Sequence, residues 1–386
     1  MENRRPLSVL HCPCDVGGQS GTLAKFERAL GLDSWSVALT APGLGMPIDE
    51  VIADKGDNRF LLEIGRWSLL ARAALNYDVL HFNFGRSIAP LDHRAADRYA
   101  GASAMKRWAV GRYAQLTWFK DVALLKRLGK TIVMTYQGDD ARQGDYCRKM
   151  FRYSPAMEVN SGYYTAISDA SKRKAIDTIG RLADRIYALN PDLLAVLPPG
   201  TEFLPYANLD FLEWPMIGPA GNDVPLVLHA PTSREFKGTK YILDAVAKLK
   251  QEGVKFQFQL IEDMTRDQAH AHYERADLLI DQVLAGWYGG LAVELMALGK
   301  PVICYLRYED LHCLPPAMQA QLPILNANPD SLANVLRRAL AMSPADRASL
   351  GQDCRRYVER WHDPMKIAAR LKNDYQELHS LPRRTP

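Results

Sequence analysis

The sequence predicts an α/β protein of two domains, and three observations carry that expectation. Short runs rich in Val, Ile, Leu and Tyr alternate with longer helix-period segments, as parallel strands covered on both faces require. At 386 residues the chain exceeds what one ordinary core fills. A stretch rich in Pro, Gly and Asn with no clear period, "PYANLDFLEWPMIGPAGNDVP" (205–225), separates an earlier set of strands from a later one and reads as a linker.

The first set comprises "LSVLH" (7–11), "WSVAL" (35–39), "YDVLHFN" (77–83), "KTIVMTY" (130–136) and "RIYALN" (185–190). The second comprises "LVLHA" (226–230), "KFQFQLI" (255–261), "DLLID" (277–281), "PVICYL" (301–306) and "PILNA" (323–327). Helical sequence closes the chain in "SLANVLRRALAM", "ADRASLGQDCRRYVERW" and "PMKIAARLKNDYQEL", before a basic tail "PRRTP" that is expected to fray. The expected division is 1–207, 208–362, and a C-terminal helix with its tail over 363–386.

A net charge of +4 is too slight an excess to imply a nucleic-acid partner, whose binding needs a concentrated basic face. Six scattered cysteines with no C-x-x-C pair suggest neither a zinc site nor a disulfide framework, and a reducing cytoplasm is the natural setting. The apolar part of "MENRRPLSVLHCPCD" is too short for a secretory core, and no stretch reaches the roughly 18 apolar residues of a spanning helix.

Ligands of open parallel sheets bind beyond the carboxyl ends of the strands, so the loops leaving those strands are the candidates. "HCPCDVGGQSGTL" (11–23) offers Gly17 and Gly18 before a helix, either to let backbone amides approach an anion or as a plain turn; it does not fit G-x-G-x-x-G. "HAPTSREFKGTKYILDAV" (229–246) places Arg234 and Lys237 at a helix start, where two cations neutralise a diphosphate or simply face solvent. "GWYGGLAVELMALGKPV" (286–302) follows a strand with a glycine turn and a short helix carrying Glu294. That carboxylate either accepts from two ribose hydroxyls or complements the helix dipole at the surface.

Together these stretches resemble the nucleotide-binding half of GT-B glycosyltransferases of the retaining family 4 type, which carries K-G at a helix start, then E-x7-E and M-A-x-G-x-P-V. "GGQSGTLAKFERALG", "YDVLHFNFGRS", "KTIVMTYQGDDAR" and "ALNPDLLAVLPPGTEFLPY" resemble segments of the other half. The resemblance implies two Rossmann-like domains facing across a cleft, with the C-terminal helix packing back on the N-terminal domain. It implies transfer of a sugar from a UDP- or GDP-sugar to a hydroxyl of a glycan or lipid-linked acceptor, with retention and in polysaccharide or glycoconjugate biosynthesis. No cofactor is implied, and the sequence contains no Asp-x-Asp triplet for a metal. By the same resemblance Lys237 contacts the donor diphosphate, Glu294 the ribose, and Gly17 and Gly18 the diphosphate and transferred sugar, while Tyr288, Gly289, Gly290 and Leu291 are expected to hold the donor in place of the missing first glutamate.

Three departures stand out: Gly286 replaces the first glutamate, Arg234 substitutes for an arginine normally further upstream, and Asn83 replaces a second histidine beside His81. His81 is a core or an active-site residue, and Asn83 and Arg86 lie on the acceptor side. Asp139 and Asp140 either receive an acceptor proton and hold a sugar hydroxyl, or cap a helix starting near Ala141. The segment 105–130 mixes seven cations and one Asp with aromatics, so it either touches an anionic membrane from the cytoplasmic side or buries those aromatics in the core. Two other activities fit the same pattern: a silent GT-B relative that binds a nucleotide sugar or scaffolds a partner, and a nucleotide-sugar epimerase.

Overall fold

A computed structural model describes residues 5–53, 59–89 and 103–381. The expected fraying of the tail 382–386 lies outside these residues. The chain divides into two compact units, Met1–Arg142 with Ile167–Asn208 and Pro364–Pro386, and Gln143–Ala166 with Leu209–Asp363.

In the first unit, β1 (Ser8–Cys12), α1 (Gln19–Ala29), β2 (Asp33–Thr40), β3 (Glu50–Ala53), α2 (Arg59–Asn76), β4 (Val79–Asn83), α3 (Ala104–Thr117), α4 (Lys120–Arg127) and β5 (Thr131–Tyr136) come first. After α5 (Gly144–Met150), which belongs to the other unit, come α6 (Ala166–Leu182), β6 (Arg185–Ala188) and β7 (Glu202–Phe203). Among the described residues the strands form one parallel sheet in the order β3-β2-β1-β4-β5-β6-β7. That order reverses between β1 and β4, as in a dinucleotide-binding fold.

Strand alternation sorts two cores. Leu10, Cys12, Leu80, Phe82, Ile132 and Met134 pack with residues of α2, α4 and α6. Val9, Val79, Val133 and Tyr187 face the other way, against Leu23 of α1 and against Ile367, Leu371 and Tyr375. The last three repeat every four residues on the chain's final helix, Pro364–Ser380, so one stripe of it is buried in this unit. The expected return of the C-terminal helix to the N-terminal unit is thus observed.

The second unit adds α7 (Arg234–Lys237) after β8 (Leu226–His229), then α8 (Thr239–Gln251), β9 (Gln257–Leu260), α9 (Arg266–Glu274), β10 (Leu278–Ile280) and α10 (Gly290–Ala297). It ends with β11 (Val302–Cys304), α11 (Pro316–Ala320), β12 (Leu325–Asn326), α12 (Leu332–Ala341) and α13 (Pro344–Trp361), which leaves α14 as the final helix already described. Its parallel sheet runs β12-β11-β10-β8-β9, reversing between β8 and β10.

Residues 143–166, expected in the first domain, belong here for a packing reason. Phe236 packs on the cluster of Cys147, Ala156, Val159 and Tyr164, and the Tyr241 hydroxyl donates to Glu158 at 2.6 Å. The supposed linker is packed in part: Trp214 is 1% exposed, and the amides of Ile217 and Gly218 donate to the Leu298 carbonyl, while 220–224 are exposed. All six cysteines are free thiols, and no described helix is long and apolar enough to cross a membrane.

One buried polar network anchors the last helix to the sheet. Glu27 Oε2 meets His11 Nε2 at 2.9 Å and the Ser34 hydroxyl at 2.6 Å, while Tyr375 donates to Glu27 Oε1 at 3.1 Å. His81 meets the Tyr375 hydroxyl through Nδ1 at 2.6 Å and Thr135 through Nε2 at 2.7 Å. Burial, reinforced by the neighbouring His11, holds His81 well below its ordinary value, so the ring is neutral. His81 is therefore a core residue, not a catalytic one: β4 is covered on both faces and both ring nitrogens are engaged. Removing one hydroxyl from this network leaves two buried partners unmet. Tyr375→Phe is expected to lower unfolding free energy by about 2 kcal/mol, read as a lower urea midpoint; an unchanged midpoint would show that the network does not hold the helix.

Candidate functional site

The second unit gathers its polar groups where its sheet reverses. β8 and β10 are bridged by His229, whose Nδ1 lies 2.8 Å from the Ile280 carbonyl and whose Nε2 lies 2.8 Å from the Thr239 hydroxyl. A carbonyl only accepts, so Nδ1 carries the proton and the Thr239 hydroxyl donates to Nε2. Burial lowers the ring to about 4, consistent with a neutral clamp.

Lys237 reaches the site because Gly238 permits a sharp entry into α8. Gly238 has φ +78, and a Cβ there would lie 2.7 Å from Val283 Cγ2, so the K-G pair lets this turn pack on the loop after β10. Lys237 is 8% exposed and its ammonium meets Asp281 Oδ1 at 2.6 Å. Asp281 Oδ2 accepts the Gly289 amide at 2.8 Å, so one buried carboxylate ties the ammonium to the start of α10. The N-cap there is Gly289, which supplies no side-chain acceptor to the first helical turn, and Gly290 and Leu291 follow half-buried. A cation beside a helix start whose N-cap residue makes no side-chain hydrogen bond suits an anion. Asp281 drew no notice in the sequence because it reads as the polar end of a buried strand.

Glu294, one turn further along α10, is 5% exposed rather than a surface charge. Its nearest cation is Arg266 Nε at 3.6 Å, beyond hydrogen-bond reach. Arg266 lies over the Trp214 ring at 5.2 Å, and the Trp214 and His270 rings are 4.5 Å apart. Glu294 Oε1, Arg266 Nε, Trp214 Nε1 and His270 Nε2 are all buried with no hydrogen-bond partner. Four such atoms in one place are unusual in a folded protein. Burial, opposed by Arg266, pushes the Glu294 carboxyl up from 4.5 to about 7.

Several expected donor contacts are otherwise engaged. Arg234 is exposed and forked onto Glu262 through its Nε and a terminal nitrogen, so it does not join Lys237. Tyr288 is fully buried, its hydroxyl bonded to Tyr357 at 2.9 Å and His362 at 2.8 Å, so it is part of the packing against α13 rather than a donor contact. Gly286 has φ +79, and a Cβ there would lie 2.7 Å from the guanidinium carbon of Arg307. Arg307 itself is 5% exposed, 3.4 Å from the Phe151 ring centre and 2.6 Å from Asp310. The place where a glutamate side chain was expected is filled by an arginine.

In the first unit, candidate residues follow β1, β4 and β5 at the carboxyl edge of the sheet. Gly17 and Gly18 take left-handed backbone at φ +67 and +81, which lets the loop fold around Asp15. Asp15 accepts the amides of Gly18 at 2.8 Å, Ser20 at 2.7 Å and Gly21 at 3.4 Å. Of the two glycines expected to bring amides to a diphosphate, Gly18 is thus occupied by the chain's own carboxylate, and burial raises that carboxyl above its ordinary value. After β4, Asn83 donates to the His81 carbonyl at 3.1 Å and accepts from Gln137, so it is fixed inside the unit. Arg86 lies half-buried over the Phe84 ring. Asp140 caps no helix; it accepts the amides of Gln137 and Gly138 and closes the turn after β5, and burial raises it to about 6. Asp139, its side chain 23% exposed, lies 3.6 Å from Arg142, which Asp192 also holds.

No protein-family model matches the chain, and no curated protein matches it either. Among solved structures it is similar to a sucrose-phosphate synthase from Thermosynechococcus elongatus, with a TM-score of 0.59 at 14% identity over 97% of this chain and 99% of that one. A glycosyltransferase from Rickettsia africae ESF-5 gives a TM-score of 0.53 at 14% identity, over 98% of this chain and 100% of that one. The chain has the GT-B fold, built of two Rossmann-like units.

The raised Glu294 carboxyl makes stability depend on pH with a definite sign. Between pH 4.5 and about 7 the folded chain keeps a proton that the unfolded chain has lost, so stability falls as pH rises through this window. Glu294→Gln removes that ionisation. Relative to wild type, the variant is expected to gain about 3 kcal/mol between roughly pH 4 and pH 8 in urea unfolding; a difference that does not change with pH would mean that Glu294 is charged at its site throughout.

Proposed function

We propose that the chain is a glycosyltransferase that uses a nucleoside diphosphate sugar, with its donor on the second unit. The observation that carries this reading is the pairing, along one short helix, of a cation at its start with the buried Glu294 one turn on. Lys237 and the first turn of α10 face a diphosphate, and Glu294, one turn on, has an unpartnered oxygen suited to ribose hydroxyls. The unmet atoms of Arg266, Trp214 and His270 lie beside Glu294 and would meet the base. The fold shared with a sucrose-phosphate synthase and a glycosyltransferase agrees with it.

In the reaction an acceptor hydroxyl oxygen bonds to the anomeric carbon while the bond from that carbon to the diphosphate oxygen breaks. The leaving diphosphate takes the electron pair, and with retention one of its oxygens takes the hydroxyl proton on the same face. Electrostatic stabilisation of that leaving group by Lys237 and the helix dipole is the main catalytic contribution. Arg234 is left out, since Glu262 holds it at the surface. On the acceptor side, Asp139 and Arg86 are the groups still open enough to meet a glycan or lipid-linked hydroxyl, in a biosynthetic setting in the cytoplasm. UDP and GDP are the donor nucleotides to test first.

A silent, nucleotide-binding relative is the second reading, favoured by the Arg307 guanidinium that fills the space at Gly286. Thermal unfolding with UDP-, GDP- and ADP-sugars separates these readings when combined with a transfer assay. One donor class is expected to raise the midpoint, because a ligand of the native state alone stabilises it. Lys237→Ala and Glu294→Ala should each abolish that rise and all transfer, with circular dichroism unchanged. Stabilisation without turnover would select the silent relative, and near-normal transfer by both variants would remove this assignment of the site.

A further inference from the structure

Helices α2 and α3 present apolar residues to solvent as well as to the core. On α2, Leu69, Leu70 and Ala73 are buried, yet Phe60, Ile64 and Trp67 form a second stripe at i, i+4 and i+7 that is more than half exposed. On α3, Met105, Trp108 and Leu116 are 78%, 67% and 64% exposed. The two helices are joined where Trp67 Nε1 donates to the Tyr113 hydroxyl at 3.2 Å and Tyr113 donates to Glu63 at 3.0 Å. A cavity of about 270 Å³ opens between α2, α3 and α4, walled by Trp67, Leu70, Ile88, Leu116 and Leu124, with Lys120 also lining it. Exposed apolar surface on this scale, with a cavity in it, marks a binding face.

Its charge identifies the kind of partner. α3 and α4 carry Lys106, Arg107, Arg112, Lys120, Lys126 and Arg127 against one acid of their own, the buried Asp121, and Lys126 pairs with Asp184 before β6. A cationic excess remains on these two helices. A second copy related by a two-fold axis would set the same cations against one another, which disfavours a self-association face. Aromatic and aliphatic side chains among cations instead match the boundary between lipid headgroups and acyl chains, where Trp is favoured and anionic lipid attracts Lys and Arg.

The geometry points to a membrane-docking face on the first unit: the outer faces of α2, α3 and α4 lie on an anionic bilayer, and the cavity between them receives part of a lipid hydrocarbon chain. Both halves of the sequence-level choice for 105–130 are then partly met. Phe119 is buried in the core, while Trp108 stays outside.

The test is co-sedimentation of the full chain with vesicles of phosphatidylcholine alone or with one-third phosphatidylglycerol, read without donor or acceptor so that it stands or falls apart from the transferase reading. Wild type is expected to pellet with the anionic vesicles and to stay in solution with the neutral ones. The double variants M105E/W108E and K106E/R107E alter exposed positions and so should keep wild-type circular dichroism, while each loses about tenfold or more in vesicle affinity. The proposal is overturned if wild type ignores anionic vesicles, or if both double variants bind as wild type does. A lipid-free dimer in solution that M105E/W108E converts to monomer would also overturn it, in favour of a second copy.

Discussion

A buried ion pair, Lys237 with Asp281, sets the arrangement of the second unit's site. Lys237 follows β8 and Asp281 follows β10, the two neighbouring strands between which the sheet order reverses. Placing both charges out of water is costly, and a pair of this kind contributes little net stability. What it provides is position. Asp281 holds the ammonium on one oxygen and the Gly289 amide on the other, so the cation and the helix start converge without a flexible side chain between them. His229 and Gly238 serve the same end, one by clamping β8 to β10, the other by removing a Cβ that would collide with Val283.

The first unit also places carboxylates at its equivalent edge. The amides at the start of α1 are met by Asp15, and the turn after β5 is closed by Asp140. Both carboxylates act as internal anions that satisfy backbone donors, which leaves less cationic and amide character for a phosphate. The sheet beneath is held from below by the Glu27, His11, His81 and Tyr375 network, which uses the last helix of the chain as its lid. The lysine and helix start suited to an anion therefore lie in the second unit, while Asp139 and Arg86 of the first are partly exposed.

Strands were legible wherever an apolar run is buried on both faces, since composition alone then marks them: "YDVLHFN" and "KTIVMTY" fall within two residues of β4 and β5. β3, "EVIA", and the two-residue β7 escaped because edge strands are short and half-buried. Residues 143–166 escaped for another reason. Their allegiance depends on tertiary partners such as Phe236 and Tyr241, which no local pattern reveals. Lys237 and Glu294 were singled out by their place after strands and given roles only by the resemblance, and the direction of neighbouring side chains was not readable. Tyr288 sits in a glycine-rich turn yet points into the core toward Tyr357, and Arg234 is drawn off by Glu262, a residue 28 positions away. Asp281 and Arg307 were invisible for the converse reason, polar residues at the ends of strands whose roles arise only from what packs on them.

The central claim is that the space beside Lys237 and Gly289 receives a diphosphate. Gly289 has φ −99, a backbone any residue adopts, and a Cβ there would lie 3.2 Å from the Lys237 ammonium. Gly289→Ala therefore places a methyl group in the anion's path while leaving Glu294, Arg266 and the fold in place. Calorimetric titration of nucleoside diphosphate and of the bare nucleoside into both proteins tests the claim most directly. The account predicts roughly a tenfold or greater loss of diphosphate affinity, about 1.4 kcal/mol or more, with nucleoside affinity unchanged. Equal diphosphate affinity in the two proteins would contradict it.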